Sequence, residues 1–154
     1  MNDRIDFEDT VSFLLARVAT AFRNKIERQM VSIGLHSGQA FVLLELWKED
    51  GLKQIDLAAR LGVSAPTINK MVKGLRTIGL VRMVENKEDR RSANVYLTDN
   101  GYRIREKIEA EWIDLESASL ARLTETERMV LADLLRKLVK AYPRNESDAA
   151  PKDE

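Results

Sequence analysis

No cysteine occurs among the 154 residues, and there is a single histidine, His36. The first absence excludes disulfides, iron–sulfur clusters, thiolate zinc sites and thiol redox sensing. The second leaves only carboxylates as companions for a transition metal, so neither a metal nor another cofactor is expected. Proline and glycine are also scarce, three and seven residues respectively, and a chain so poor in breakers favours long helices. No run of 18 or more apolar residues exists. The start, Met1 to Asp9, is acidic rather than the basic lead into an apolar segment that marks a secretory signal. The expectation is a soluble, cytoplasmic protein with no membrane partner. Ser/His/Asp and Cys/His constellations, a phosphate-binding loop and a dinucleotide fingerprint are likewise missing, so an enzyme is not expected.

What remains is 44% hydrophobic and 32% charged, the balance of a helix-rich globular protein of a length that suits one domain, residues 1–154. The net charge is zero, which by itself argues against a nucleic-acid partner, but the charges are segregated. Between Lys53 and Ser92 nine bases face four acids, leaving that segment at +5 and the remainder at −5. A basic middle between acidic ends points to one polyanion-binding face.

Hydrophobic periodicity lays out the elements. Val11, Leu14, Leu15, Val18, Phe22, Ile26, Met30 and Ile33 keep the helical period over residues 10–33, and Gly34 ends the run. A second helix is predicted from Ser37, as N-cap, to Lys48, with Phe41, Leu44 and Leu46 or Trp47 inward. Two short helices follow at about 53–61 and 64–78. After Gly79 the period changes: residues 80–85 and 93–97 read as strands joined by the polar run Asn86 to Ser92, a hairpin with a charged tip. Thr98 caps a predicted helix over 99–122 that carries Ile104, Ile108, Trp112 and Leu115. Thr124 and Glu127 have capping-box spacing before a last helix to about Tyr142, with Leu131, Leu134, Leu135 and Leu138 on one stripe. Residues 143–154 read as a flexible tail. The predicted fold is mainly α with a small β-hairpin, a winged helix-turn-helix lobe at 36–98 beneath a second helical layer.

The segment Gln54 to Leu75 has helix-turn-helix grammar. Leu57, Ala58 and Leu61 form an apolar face, Gly62 permits the left-handed turn, Val63 plugs the joint and Ser64 caps the second helix. On a helical wheel Ile68, Met71, Val72 and Leu75 share one side, while Pro66, Asn69, Lys70, Lys73 and Arg76 lie opposite and free of acids. A helix of this width fits the DNA major groove, where Asn pairs with adenine and Lys with guanine, while Ser64 and Thr67 sit where a helix N-terminus meets phosphate. At the hairpin tip Arg90 and Arg91 are placed to enter the minor groove, with Asp89 orienting the Arg91 guanidinium. A solvated charged helix face and a flexible polar loop remain the bland alternatives for these two segments.

Asp89-Arg90-Arg91 followed by Leu97-Thr98-x-x-Gly101, together with Gln54-x-x-Leu57-Ala58-x-x-Leu61-Gly62-Val63-Ser64 upstream, resembles the MarR (multiple antibiotic resistance regulator) family over residues 10–142. The resemblance implies a homodimer built from helices in 10–34 and 99–142, with each winged lobe reading half of a pseudo-palindrome in double-stranded DNA. The DNA-contacting set expected from grammar and resemblance together is Gln54, Ser64, Ala65, Pro66, Thr67, Asn69, Lys70, Lys73, Arg76, Lys87, Arg90 and Arg91. Lys53 departs from the Ser or Thr that caps the first short helix in many relatives. A small aromatic or anionic effector is further implied, with Phe22, Arg23, His36, Phe41 and Trp47 as pocket candidates beside the reading that they are core or capping residues. The implied function is a ligand-responsive repressor. A protein-interaction module or weakly selective architectural DNA binder is the alternative.

Overall fold

The computed structural model describes residues 6–87 and 93–141. Helix α1 (Val11–Ser32) starts where the Thr10 hydroxyl accepts from the Phe13 N–H at 3.3 Å, and it stops at Gly34, whose φ of 82° only glycine adopts without strain. Its second half buries Ile26 and Met30, whereas residues 11–20 are exposed throughout. Helix α2 (Ser37–Lys48) begins one residue earlier than the sequence implies. His36, not Ser37, is the N-cap, because Glu27 on α1 reaches across and its Oε2 accepts the Ser37 N–H at 2.8 Å. A carboxylate from a neighbouring helix thus satisfies the first of the backbone donors that a helix N-terminus leaves unpaired.

The inward face of α2 also differs from the expected single stripe. Ala40, Val42, Leu43 and Leu46 are buried, with Glu45 among them, while Phe41, Leu44 and Trp47 are half-buried. The reason is that α2 is packed by α1, by the two helices that follow it and by a strand, so more than one of its sides is covered.

Strand β1 (Leu52–Lys53) is too short to show a period and went unforeseen; it pairs Leu52 with Val95 and Lys53 with Asn94. Helix α3 (Gln54–Leu61) closes at Gly62, which sits at φ 64° and ψ 40°, and helix α4 (Ala65–Thr77) opens with the Ser64 hydroxyl accepting from the Thr67 N–H at 3.3 Å. Strands β2 (Val81–Glu85) and β3 (Ala93–Leu97) complete an antiparallel sheet in the order β1-β3-β2. The register sets Val81 opposite Leu97 and Met83 opposite Val95, so these four share the face turned to the helices.

The helix predicted over 99–122 is two helices, α5 (Asp99–Arg103) and α6 (Arg105–Ser119). The Trp47 indole N–H donates to the Gly101 carbonyl at 3.0 Å, the acceptor that the Arg105 N–H would use in an unbroken helix. The Arg105 guanidinium in turn lies 5.5 Å from the Trp47 ring centroid. Helix α7 (Glu125–Lys140) carries the expected capping box: Glu127 Oε2 accepts the Thr124 N–H at 2.8 Å and Thr124 Oγ1 accepts the Glu127 N–H at 3.3 Å. Its leucine stripe is not buried by the rest of the chain, for Leu134, Leu135 and Leu138 are all exposed. Among the described residues no helix is long and apolar enough to cross a membrane.

One core runs through both layers, with Leu43, Leu46, Leu57, Ile68, Val72, Leu75 and Val95 in the winged part and Met30, Leu35, Ile108 and Leu115 beneath the long helices. Leu75 is fully buried, so Leu75→Ala is expected to lower the stability read from urea unfolding by about 2–5 kcal/mol. The exposed Lys73, one helical step away, is expected to change it by under about 0.5 kcal/mol when replaced by Ala.

Candidate functional site

Helix α4 divides as its sequence implies. Ile68, Val72 and Leu75 are buried and Met71 half-buried, which turns Ser64, Ala65, Pro66, Thr67, Asn69, Lys70, Lys73 and Arg76 to solvent. The Ser64 and Thr67 hydroxyls are 2.8 Å apart at this exposed N-terminal end, where Pro66 carries no N–H and the Thr67 N–H is taken by Ser64. No acidic side chain pairs with Lys70, Lys73 or Arg76 among the described residues, so the face keeps its positive charge. Gln54, half-buried at the start of α3, joins it: Gln54, Asn69, Lys73 and Arg76 line one depression of about 280 Å³ with Met83 at its base. Met83 was not singled out by sequence reasoning, although its place two residues after the buried Val81 gives the strand alternation that turns it inward. Lys87 is exposed at the end of the described part of the wing. Asp89, Arg90 and Arg91 lie outside the described residues.

The face is anchored from behind. Arg60 on α3 pairs with Glu49 and stands 3.9 Å from Glu45, which also meets Lys48 Nζ at 3.0 Å, tying the first helix of the pair to α2. Lys53 caps α3 without a side-chain hydrogen bond, and it is half-buried by the β1 pairing. Asp50 fastens the base of the wing: its Oδ1 accepts the Leu97 N–H at 2.9 Å and its Oδ2 the Tyr102 hydroxyl at 3.0 Å. The Thr98 hydroxyl caps α5 at Gly101 and donates to the Gly79 carbonyl at 2.6 Å. Gly101 is required there, since a Cβ would collide with the Leu80 carbonyl oxygen.

The five effector candidates do not meet in one cavity. His36 lines a crevice of about 730 Å³ between the start of α2 and the flank of α4, with Gln39, Thr67, Lys70, Lys73 and Thr77. Phe41 lines an adjoining recess of about 320 Å³ with Arg60, Leu61, Val63 and Met71, and its ring meets Trp112 edge-on at 6.0 Å. Phe22 packs half-buried on the core, Arg23 is exposed on α1, and Trp47 is committed to Gly101 and Arg105. Crevice-lining Gln39 and Thr77 were missed because neither carries a local sign of recognition; they are brought together only by the crossing of α2 and α4.

At the crevice rim Glu27 holds the α1–α2 corner. Its carboxyl is pulled down to about 2 by the Ser37 side chain foremost, then by His36 and the Ser37 backbone N–H. The His36 Nδ1 lies 2.6 Å from Glu27 Oε1.

Comparison with known proteins places this geometry. The MarR family profile matches residues 35–93, the segment holding the helix pair and most of the wing. The HTH-type transcriptional regulator YwaE of Bacillus subtilis (strain 168), itself uncharacterized, is 31% identical over 125 residues, covering 80% of this chain and 73% of the relative. The chain belongs to the MarR family. Another relative is the HTH-type transcriptional repressor MdtR of Bacillus subtilis (strain 168), 28% identical over 141 residues, or 92% of this chain and 88% of that protein. The crystal structure of the PcaV transcriptional regulator from Streptomyces coelicolor in complex with its natural ligand superimposes with a TM-score of 0.76 at 30% identity, over 90% of this chain and 97% of PcaV. This MarR-family chain is therefore a winged-helix transcriptional regulator, and its relatives are regulators rather than enzymes.

Because the Glu27 carboxyl is lowered in the folded state, its ionised form stabilises the fold above the ordinary carboxylate value. That contribution is lost as pH falls through about 4.5 toward about 2. Glu27→Gln is expected to lower the melting temperature at pH 7 and to flatten its decline over that acid interval; thermal melts at pH 7, 4 and 3 check both.

Proposed function

We propose that this regulator binds double-stranded DNA as a homodimer, each α4 entering a major groove and each wing following the adjacent minor groove, on a pseudo-palindromic operator. The observation that carries the reading is the exposed, acid-free face of α4, on which Asn69, Lys70, Lys73 and Arg76 stand together with Gln54 at its border. Asn69 and Lys70 supply base-edge recognition, Lys73 meets phosphate, and Ser64 and Thr67 offer hydroxyls to phosphate at the helix N-terminus. Arg90 and Arg91, which the sequence assigns to the wing, are the residues proposed to contact the minor groove, with Asp89 proposed to orient Arg91.

A second copy of the chain is the occupant proposed for the exposed apolar faces. Val11, Leu14, Leu15 and Val18 on α1 and Val130, Leu134, Leu135 and Leu138 on α7 are exposed at the two ends of the sequence. A monomer rarely leaves so much apolar surface in water, and a self-complementary pairing of these helices covers it in both copies at once. Leu134→Asp combined with Leu138→Asp is expected to shift the protein from dimer to monomer in sedimentation. A dimer that persists unchanged would remove these helices from the interface.

The regulator acts as a repressor relieved by a small aromatic or anionic effector, for which the His36 crevice is the proposed site. Its floor is apolar where Met71 and Ile78 line it, and Lys70 and Lys73 bring positive charge to its edge. Since both lysines also belong to the DNA face, an anion held there would withdraw charge from the phosphates. MdtR, a repressor, and PcaV, crystallised with its natural ligand, support the reading by likeness.

Gel-shift titration on the gene's own upstream region tests the DNA reading. Asn69→Ala and Arg91→Ala are each expected to weaken binding by about 1–3 kcal/mol while the dimer stays folded. Lys73→Ala is expected to weaken it across sequences and to reduce the salt slope by about one. Equal affinity for random duplex would favour an architectural module, and affinity insensitive to salt would remove the phosphate-tracking face.

A further inference from the structure

Met83 is the one described methionine whose sulfur has N–H donors aimed at it. Gln54 Nε2 stands 3.7 Å and Arg76 Nη1 3.9 Å from its Sδ. These donors arrive from the first residue of α3 and the last turn of α4, so the sulfur lies where the two helices of the DNA-reading pair meet the wing. Half-buried, it lines one depression together with Gln54, Asn69, Lys73 and Arg76. A thioether is a weak acceptor, so both donors, one of them a guanidinium, are held only loosely by it. A sulfoxide oxygen in that place would be a strong one.

We propose that Met83 is an oxidation site through which a hydroperoxide lowers DNA affinity, a role that rests on the DNA-binding reading above. The sulfur lone pair attacks the terminal peroxide oxygen, the O–O bond breaks, and the proton passes to the departing oxygen, which leaves as water or alcohol. Sulfur loses two electrons and the peroxide gains them, giving one methionine sulfoxide. Its oxygen accepts from Arg76 and Gln54 in place of the weakly bound sulfur, holding both side chains inside the depression and away from DNA. The half-buried Met83 side chain also becomes polar at the edge of the core, where it had packed as an apolar group.

The remaining methionines differ in setting. Met30 is buried, Met71 lies between α2 and α4, and Met129 is exposed on α7, and none of the three has a donor directed at its sulfur among the described residues. With no cysteine in the chain, a hydroperoxide has no thiol to react with first. Methionine oxidation is reversible by sulfoxide reductases, so the modified protein can be returned to its starting state.

The experiment treats the full-length dimer with graded hydrogen peroxide, maps the added oxygen by peptide mass analysis, and measures affinity for the upstream duplex by fluorescence anisotropy. Before peroxide, the untreated protein must bind that duplex; failure there overturns the DNA-binding reading and this inference with it. In a protein that binds, oxidation at Met83 is expected to weaken affinity on the order of tenfold, the loss of one guanidinium contact. Methionine sulfoxide reductase with a thiol reductant is expected to restore it. Met83→Leu, close in volume, should keep its affinity through the same treatment, and Met83→Gln, which places a carbonyl acceptor near Arg76, should bind weakly with no peroxide at all. Unchanged affinity of a protein fully oxidised at Met83, or equal peroxide sensitivity of the Leu variant, would overturn the inference and leave the DNA-binding reading intact.

Discussion

Everything functional in this chain depends on how α4 is held by its buried side. Ile68, Val72 and Leu75 are sealed against α2 and the strands, and this determines the rotation of the helix about its own axis. Removing three large side chains from water stabilises the lobe by several kcal/mol in gross terms. The electrostatic cost of gathering Lys70, Lys73 and Arg76 on an exposed face is small by comparison, since water screens charges at that spacing. Burial wins, and the direction in which the cationic face points is consequently fixed by the apolar side of the helix. A one-position change in the phase of the apolar stripe would rotate the whole face by about 100° and turn it away from the surface it shares with Gln54 and the wing.

The same economy of contacts joins the reading lobe to the long helices. Asp50, Thr98, Gly101 and Trp47 form a compact joint in which backbone groups of β3 and α5 are taken up by side chains of the α2 region. The joint fixes the base of the wing relative to α2, and its Trp47–Gly101 hydrogen bond lies next to the irregularity at Ile104 where α5 gives way to α6. On the other side of α2, Glu27 ties α1 to the first turn of that helix. Helix α2 is therefore the element to which both the DNA-facing parts and the long helices are attached. The crevice at its start is lined by residues of α2 and α4 together, so the proposed effector would touch both.

The sulfur chemistry follows from what the chain omits. Without thiols, oxidant response falls to methionine, and position then decides consequence: buried Met30 is protected, while Met83 sits among donors that a DNA-binding face also needs. The two proposed inputs, an anion in the crevice and an oxygen on Met83, would act through Lys70 and Lys73 in one case and Arg76 and Gln54 in the other, and Lys73 borders both places.

Much of this was legible in the sequence, for local reasons. The 3.6-residue period of α1 and α7, the turn glycine at 62, the capping box at Thr124 and Glu127 and the division of α4 into apolar and basic sides are each encoded within a few turns of chain. Helical geometry converts such spacing directly into faces. Features set by distant partners were not legible. His36 replaced Ser37 as cap while Glu27 arrives from another helix; β1 exists only because β3 lies beside it; and the helix expected over 99–122 divides at Ile104, beside the carbonyl that Trp47 reaches from α2. The effector candidates likewise scattered over separate surfaces, since aromatic residues at helical spacing say which way a side chain points and nothing about what stands opposite. The sequence alone therefore determined which residues belong to each face and that one face is cationic, because periodicity and charge are properties of neighbouring positions. Only the tertiary structure decided where crevices open and that Gln54 and Arg76 converge on Met83, because those depend on helices and strands far apart in the chain being packed against one another.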